Sequence, residues 1–554
     1  MWSKTTNIFK YMLKKIPFIL ILIFVACNST TAQQFRPSAD GIKFERTLQL
    51  ISNLYVDDVD TRALTEAAIR AMLRELDPHS SYLDAQEVRA MNEPLQGNFD
   101  GIGISFNMLT DTLYVLEVIS GGPSQQVGLM PGDRIIFVND TLISGVQMNQ
   151  QDVVRRLRGP AGTTVDIKVR RRGVPELLDF HIVRGRIPIF SVEAAYMVTN
   201  DIGYIRISRF GATTTEEFKR AERELKAQGM KNLILDLTGN GGGILHTAAE
   251  ISSEFLGDNK LIVYTEGRNQ PRLTMNSTPG GEMLEGRVVV LVDEGSASAS
   301  EILAGALQDW DRGIIVGRRT FGKGTVQRQI PLPPDNATMI RLTVARYYTP
   351  SGRSIQKPYE EGNAEAYNQD IVNRFLHGEL VNADSIHFPD SLKFRTLVNG
   401  RTVFGGGGIT PDYFVPIDTT ASTRLHLQLF TRGVINRTAM SEVDENRAEL
   451  LRRFPNITAF QNNFQVPQSM FDRMKRMAES DNIEWDNEQF EQSRSFITRQ
   501  IRTTMARDLY DSSASFQIWN EGADIFQEGL RIISNPERYE NLLRGIGSNI
   551  GVKN

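Results

Sequence analysis

The sequence predicts an α/β protein of several domains, with helical segments at both ends and a small β-rich module ahead of an α/β core. Short apolar runs separated by turns fill residues 96–184 and indicate the β-module. From about residue 187, strands, glycine turns and helices alternate, as in a largely parallel sheet. Apolar residues at helical spacing mark both ends of the chain. The 554 residues fit roughly three or four domains at about 150 residues each.

Residues 1–32 have the pattern of an export signal. Four lysines precede an apolar run over residues 16–26, which is shorter than the roughly 20 residues that cross a bilayer. The signal has two alternative ends: a small-residue cleavage site over residues 30–32, or a lipoprotein-like box over residues 24–27. We therefore expect an exported protein of the bacterial periplasm or envelope, either soluble after cleavage or a lipoprotein with lipid on Cys27.

Charge and composition exclude several classes of function. The formal net charge of −4 becomes −8 without residues 1–32, and neither value indicates a nucleic-acid or anionic-membrane partner. Cys27 is the only cysteine, so we expect no disulfide, no thiol chemistry and no cysteine-based zinc site. No histidine has a second histidine or a carboxylate at metal-ligand spacing, and we expect neither a metal nor a cofactor.

Residues 33–87 are predicted to form a helical arm. A second helix is expected from residue 61 to Leu76, where Asp77-Pro78 ends it. Two short helices outside a main core often serve for docking or for dimer formation. The first helix presents one apolar face, made of Phe44, Leu48, Ile51 and Tyr55.

Residues 88–185 are predicted to form one small β-barrel-like module with a single helix near residues 149–157. Three sequence motifs resemble those of a PDZ domain: Phe99–Ile104, Gly128–Ile135 and Leu157–Thr163. In a PDZ domain a glycine-rich loop offers N–H groups to the terminal carboxylate of a peptide, which adds as an extra strand. The alternative is that the glycines only shape a turn. The matching loop consists of Gly101, Ile102, Gly103 and Ile104.

Residues 186–419 are predicted to form the α/β core. Loops at the strand ends are where such folds place ligands and catalytic groups. Residues 358–404 are polar and irregular, and we expect them to be an insertion. The predicted strands are Gly203–Ile207, Leu233–Leu237 and Gly286–Val292, and the predicted helices are Thr215–Gln228, Ile244–Phe255 and Ser300–Gln308.

A serine-rich turn, residues 295–301, follows the last of these strands. A serine at a strand-to-helix turn faces a cleft, and the helix N-terminus favours the negative charge that develops there. Ser298 is therefore the candidate nucleophile, and Ser296 and Ser300 are expected to support the turn. The structural alternative is a capping box, in which Ser298 and Glu301 only satisfy backbone N–H groups.

Lys323 lies 25 positions after Ser298 and is flanked by two glycines. A lysine acts as a base only when burial removes the water that stabilises its charge, and Phe321 and Val326 supply apolar neighbours. In an extended strand Gln327 would lie about 13 Å from Lys323, so it accepts a lysine N–H only if the glycines fold the segment. The alternative is a surface lysine or an ion-pair partner.

The glycine-rich loop from Thr238 to Gly243 lacks the spacing of a phosphate or dinucleotide motif. An oxyanion hole fits better, with Gly242 or Gly243 beside the N–H of Ala299. The alternative is a tight turn alone. His246 follows this loop and is the second candidate for the base, in a Ser-His-Asp arrangement.

Residues 420–554 are predicted to form a helical extension. Its clearest helix repeats apolar residues every four positions, which builds one stripe. The extension is compatible with capping the cleft, with binding a partner and with building a homo-oligomer. The stripe consists of Ile497, Ile501, Met505 and Leu509.

Six groups of sequence motifs, found between roughly residues 45 and 420, resemble motifs of the carboxyl-terminal processing peptidases and occur in the same order. These peptidases are the tail-specific serine proteases of family S41. The resemblance implies a protease core with a Ser-Lys dyad. Ser298 matches the nucleophile, Lys323 the general base and Gln327 the residue that positions the lysine. The matching motifs are Leu76–Ser80, the three PDZ-like motifs, Leu235–Leu237 with its glycine loop, Gly295–Glu301, Phe321–Gln327 and Gly408–Asp412.

The same resemblance implies hydrolysis of peptide bonds through an acyl-enzyme, without metal or cofactor. The substrates would be proteins or peptides with free C-termini, captured by the PDZ domain. We therefore predict an exported serine endopeptidase. The alternatives are a catalytically silent peptide-binding scaffold of the same fold and a non-proteolytic acyl hydrolase. The insertion and the helical extension exceed the smaller family members, and the resemblance assigns them no role.

Overall fold

The computed structural model describes residues 38–108, 111–119, 121–334 and 336–550, so the predictions for the export signal and its cysteine lie outside the described residues. The chain forms two separate units, one up to Met72 and one from Leu73 onward. The first contains helix α1 (Ala39–Leu54) and most of helix α2 (Thr61–Arg74). Both predicted helices are confirmed. No helix in the described part of the chain is long and apolar enough to cross a membrane.

A short strand, a helix and the β-module follow. The elements are β1 (Ser81–Leu83), α3 (Ala85–Gln96), β2 (Asn98–Gly101), β3 (Ile104–Met108), β4 (Leu113–Val118), α4 (Pro123–Gln126), β5 (Arg134–Val138), β6 (Thr141–Leu142), α5 (Gln150–Leu157), β7 (Thr164–Arg170), β8 (Leu178–Val183) and β9 (Gly185–Pro188). The module sheet has the order β3-β4-β5-β7-β8, with β6 beside β5, and β3 is its edge strand. Val153 of α5 packs into the core of the module with Ile135 and Ile167. The predicted β-module is confirmed, but the expectation of a single helix is wrong, because the short helix α4 lies between β4 and β5.

The core begins after the module. Its elements are β10 (Val192–Met197), β11 (Ile202–Ile207), α6 (Thr214–Ala227), β12 (Asn232–Asp236), α7 (Leu245–Ser253), β13 (Leu261–Gly267), β14 (Gln270–Asn276), β15 (Val288–Val292), α8 (Ala299–Asp309), β16 (Ile314–Gly317), β17 (Thr325–Pro331) and β18 (Met339–Tyr348). Each predicted strand and helix is present, with ends that differ by a few residues. Every residue of β12 and β15 is buried, which explains why these strands are continuous apolar runs.

The predicted insertion is more ordered than its polar sequence suggested. It contains α9 (Ala364–Asn368), α10 (Asp370–Leu376), two 3₁₀ turns (Ala383–Ser385 and Asp390–Leu392), β19 (Lys393–Arg395) and β20 (Thr402–Phe404), and β21 (Tyr413–Phe414) follows it. Arg374 is buried, pairs with Glu379, and donates to the carbonyl oxygens of Arg319 and Thr320. Buried charged groups of this segment therefore bond it to the loop before Lys323.

Two sheets position the candidate site. The central sheet has the order β10-β11-β12-β15-β16-β21, and its strands are parallel except for the antiparallel pair β10–β11. The second sheet has the order β1-β18-β13-β14, with β17 also paired to β18. The predicted parallel core is therefore confirmed. Because parallel strands end at one edge, the loops after β12, β15 and β16 meet there.

The C-terminal extension is helical throughout its main part, as predicted. Its helices are α11 (Arg424–Thr431), α12 (Val434–Arg453), α13 (Ile457–Asn463), α14 (Gln468–Ser480), α15 (Asn487–Leu509), α16 (Ser512–Asn520), α17 (Asp524–Ser534) and α18 (Pro536–Leu543). The predicted stripe on α15 is confirmed, because Ile497, Ile501 and Met505 are fully buried in the extension's own hydrophobic cluster.

The last two helices pack against the α/β core rather than within the extension. Phe526 and Ile532 of α17 and Tyr539 of α18 pack against the face of the central sheet that includes Val289 and Leu291. The extension also contacts the β-module, where Arg134 pairs with Asp444 at 2.6 Å. A stripe on one helix could not reveal either contact, since both depend on which surfaces fold together.

Candidate active site

Ser298 lies in the turn between β15 and α8. Its backbone angles, φ 55° and ψ −111°, are ones that a residue with a Cβ rarely adopts, so the turn is strained. Its neighbours hold the turn: Ser296 donates to the Leu237 carbonyl and Ser300 donates to the Asn240 carbonyl, each at 2.8 Å. Both of these serines are fully buried, whereas Ser298 is partly exposed. Their hydroxyls therefore support the turn, as expected.

Glu301, in the first turn of α8, joins the serine turn to the lysine loop. Its fully buried carboxylate accepts the N–H groups of Ser298 (2.7 Å), Gly322 (2.7 Å) and Lys323 (2.9 Å) and the hydroxyl of Thr320 (2.5 Å). Burial raises the pKa of Glu301, and these donors oppose the rise because they stabilise the charged form. The capping-box interpretation is thus incomplete, since the carboxylate that bonds Ser298 also fixes the main chain of Lys323.

The two glycines beside Lys323 are needed for the path of its loop. Gly322 has φ 87°, a conformation that favours glycine. A Cβ on Gly324 would come within 2.8 Å of the main-chain nitrogen of Gln356. A side chain at either position would therefore strain or obstruct the path of the loop.

The surroundings of Lys323 favour its neutral form. Burial is the largest effect that lowers the pKa of Lys323, and the Arg341 cation lowers it further. Glu301 and Asp77 act in the opposite direction. The amine therefore loses its proton more readily than that of a surface lysine, as a general base requires.

Gln327 follows a bulge in the pairing of β17 with β18, so it does not lie in a regular extended strand. Its side-chain nitrogen donates to the hydroxyl oxygens of Thr325 (2.8 Å) and Thr343 (3.3 Å). Thr343 in turn donates to the carboxylate of Asp77 (3.0 Å). These are the side-chain bonds that the described chain gives Gln327, and none of them goes to Lys323.

The segment Leu76–Ser80 lies beside the lysine, although its residues alone predicted no role for it. Asp77 accepts the N–H groups of His79 and Ser80. Burial, followed by the nearby Lys323 charge, lowers the pKa of His79 to about 4, so its ring is neutral at physiological pH. The only signal for this segment was its place in the family pattern.

The glycine loop lies directly against the serine turn. A Cβ on Gly242 would come within 2.7 Å of the Ser298 Cβ. The Gly242 N–H donates to the side-chain oxygen of Asn240 (2.9 Å). Among the described residues, the N–H groups of Gly243 and Ala299 have no hydrogen-bond partner. Of the two glycines proposed for an oxyanion hole, Gly243 is therefore the one with a free donor.

His246, the second candidate for the base, lies on the surface of α7. Its side chain is 70% exposed, and its ring pairs with Glu250 at 3.1 Å. The expectation that no histidine has a carboxylate at metal-ligand spacing is wrong for His246, because Glu250 lies one helical turn away. This exposed pair does not supply the dry environment that a Ser-His-Asp base shares with its nucleophile.

The predicted PDZ loop connects β2 to the edge strand β3. Gly103 has φ 78°, and Ile104 is the first residue of β3. The carbonyl oxygens of Ile102 and Gly103 accept the N–H groups of Ser124 and Ile119, both at 3.0 Å. The loop carbonyls are thus bonded within the module, next to a strand edge.

A cavity of about 770 Å³ lies where the central sheet meets the extension. Asp236, the last residue of β12, and Asp293, which follows β15, line it on the sheet side, and Phe496 and Trp519 line it from α15 and α16. None of the predicted catalytic or oxyanion-hole residues borders this cavity.

Comparison with known proteins identifies the family. A carboxy-terminal-processing protease of Bartonella bacilliformis is 37% identical over 357 residues, which are 62% of this chain and 81% of that protein. The chain belongs to the carboxy-terminal processing proteases. The family member CtpB of Bacillus subtilis is 36% identical over 318 residues, which are 57% of this chain and 65% of that protein. Family membership makes the protein a serine protease and counts against a silent scaffold or a non-proteolytic hydrolase.

Family models agree with this assignment. The peptidase family S41 model covers residues 201–363, which include all three catalytic candidates, and a PDZ domain model covers residues 101–182. The model named activating protease CtpB N-terminal domain matches residues 26–87, and a family of unknown function (DUF8443) matches residues 425–511. Among solved structures, a photosystem II D1 C-terminal processing protease is 30% identical, covers 57% of this chain and 84% of its own, and has a TM-score of 0.33.

Replacing Glu301 should uncouple the two loops of this protease. Glu301→Gln keeps the shape of the side chain but presents one acceptor and one donor group to four donors, so we expect kcat to fall about 10-fold or more. Peptide hydrolysis measures kcat, and thermal unfolding measures the stability of the variant. Glu250→Gln, at a partly exposed site on α7, is the control and should keep its activity. Unchanged turnover by Glu301→Gln would show that the shared carboxylate is not needed.

Proposed function

We propose that this protease is an exported endopeptidase that uses Ser298 as nucleophile and Lys323 as general base. The observation that carries the proposal is that one buried carboxylate bonds the main-chain N–H groups of both residues. The lowered pKa of Lys323 supports its role as base. Residues 1–32 support export, with either cleavage after Ala32 or lipid on Cys27.

Acylation would begin with proton transfer from Ser298 to the neutral amine of Lys323, while Oγ attacks the scissile carbonyl carbon. The carbonyl oxygen becomes negatively charged in the tetrahedral intermediate. The free N–H groups of Gly243 and Ala299 are the donors proposed to stabilise that charge. The lysine ammonium then gives its proton to the leaving amine as the C–N bond breaks, and the acyl group remains on Ser298.

Deacylation repeats the same proton transfers with water. Lys323 accepts a proton from water as the water oxygen attacks the ester carbonyl. When the ester C–O bond breaks, Oγ of Ser298 regains a proton from the ammonium, and the new carboxyl terminus leaves. The proposed cycle requires no metal or cofactor.

Gln327 is proposed to orient the amine of Lys323. Its nitrogen is held by the hydroxyl oxygens of Thr325 and Thr343, which leaves the amide oxygen to accept a lysine N–H. Such a bond would orient the amine without adding a negative charge. A carboxylate in this place would favour the ammonium form and weaken the base.

The PDZ domain is proposed to capture the free C-terminus of a protein or peptide substrate. The loop from Gly101 to Ile104 leads directly into the edge strand β3, where an extended peptide can add as a further strand. The two loop carbonyls are already bonded to Ser124 and Ile119, so the N–H groups of the loop are the ones proposed to meet a carboxylate.

The dyad proposal predicts that both of its members are indispensable. Ser298→Ala and Lys323→Ala should each lower kcat by about 10³-fold or more, because neither residue acts without the other. Hydrolysis of an unfolded, tail-bearing substrate is the measurement, with circular dichroism to confirm folding. Lys393→Ala, a surface lysine paired with Asp390, is the matched control. Normal turnover by Lys323→Ala would reject the mechanism.

Activity should rise with pH as the Lys323 amine deprotonates, and the rise should lie below the range of an ordinary lysine because the pKa of Lys323 is lowered. The Arg341 charge contributes to the lowered pKa of Lys323. Arg341→Gln should therefore raise the pKa of Lys323 and shift the rising limb of the profile of kcat against pH to higher pH. The exposed Arg346 of the same strand gives the control, Arg346→Gln. An unshifted limb in Arg341→Gln would contradict the assignment of the limb to Lys323.

Capture of a free C-terminus predicts that amidation of the substrate tail raises KM. A Cβ on Gly103 would strain a residue at φ 78° and lie 3.0 Å from Ile187, so Gly103→Ala should reduce the difference between acid and amide substrates. Gly162→Ala, at φ 86° in open space, controls for strain alone. Equal KM values for acid and amide in the unmodified protein would argue against tail capture.

A further inference from the structure

The hydroxyl of Tyr347 lies between the main chains of the two proposed dyad residues. It is 3.0 Å from the carbonyl oxygen of Ser298 and 2.6 Å from that of Lys323. The side chain is almost fully buried, and the main-chain N–H of Tyr347 donates to the carbonyl of Gly324 at 2.9 Å. Tyr347 is therefore anchored beside the lysine and reaches across to the serine.

The two dyad residues lie in different loops: that of Ser298 joins β15 to α8, and that of Lys323 joins β16 to β17. Ser298 follows β15 of the central sheet, whereas Lys323 precedes β17, which pairs with β18 in the second sheet. Glu301 accepts the N–H groups of both residues. The single O–H of Tyr347 is shared between their carbonyl oxygens and lies closer to that of Lys323, so one side chain contacts the two main chains at their N–H groups and the other at their carbonyl groups.

We propose that Tyr347 is a positioning residue, whose hydroxyl sets the placement of the Ser298 hydroxyl relative to the Lys323 amine. This inference rests on the proposed dyad. The hydroxyl contacts main-chain oxygens rather than the reacting atoms, so it acts through the dyad. Burial raises the pKa of Tyr347 well above its ordinary value, which keeps the O–H available as a donor over the working range of pH.

Tyr347→Phe removes the hydroxyl and keeps the ring. We expect kcat on a tail-bearing peptide to fall about 10-fold or more, since a small misplacement of a dyad lowers the rate of proton transfer. KM should change by less than about 2-fold, because the hydroxyl does not touch the substrate. Tyr348→Phe is the matched control: Tyr348 is the next residue, its ring stacks on Tyr264 at 4.8 Å, and its loss of a hydroxyl should leave kcat unchanged.

A second measurement separates positioning from general support of the fold. The rate at which a fluorophosphonate probe labels Ser298 is compared for Tyr347→Phe in the normal background and in Lys323→Ala. We expect slower labelling in the first background and no further slowing in the second, where no amine remains to be positioned. All rates are measured well below the unfolding midpoint of the least stable variant, and Tyr347→Met serves as the hydroxyl-free variant if Tyr347→Phe does not fold.

Two results would overturn the inference while leaving the dyad intact: normal kcat in Tyr347→Phe, or the same proportional slowing of labelling in both backgrounds. The failure of the proposed function is seen separately, in the single variant Lys323→Ala. If that variant turns over substrate at the normal rate, the dyad is wrong and the inference about Tyr347 falls with it.

Discussion

The candidate site depends on one buried carboxylate, that of Glu301. Ser298 lies in the loop from β15 to α8, and Lys323 lies in the loop that leads from β16 of the central sheet to β17 of the second sheet. The carboxylate accepts four donors out of reach of water, and each donor would lose its partner if the carboxylate moved. Charge-assisted hydrogen bonds of this kind are short and directional. They fix the two main chains relative to each other before a substrate arrives.

The insertion and the C-terminal extension also contact the elements that carry the site. The insertion uses Arg374 to bond the main chain just before the lysine loop, and its Tyr367 lies 2.9 Å from the ring of His79. The end of the extension covers one face of the central sheet with Phe526 and Ile532. Both regions therefore stabilise the sheet and loops that carry the site, whatever other tasks they perform.

Much of the fold and the main candidates for catalysis could be predicted because they depend on local patterns. Short apolar runs predicted the β-module, its resemblance to a PDZ domain came from three motifs, and strand–turn–helix order predicted the parallel core. Partners far apart in the sequence could not be predicted in this way. Asp77 and Thr343 are 266 positions apart, and Tyr347 meets Ser298 across 49 positions. No period or spacing records a hydrogen bond between such residues.

The sequence by itself determined the order of the helices and strands, because that order follows from local propensity. It also determined the motifs shared with the family and the residue types able to act as nucleophile and base, because these depend on side-chain chemistry. Tertiary structure decided that Lys323 is partly buried near the Arg341 charge, that the Gly242 N–H is bonded while that of Gly243 has no partner among the described residues, and that the last helices complete the core. A pKa or a free donor is a property of surroundings, and folding alone assembles them.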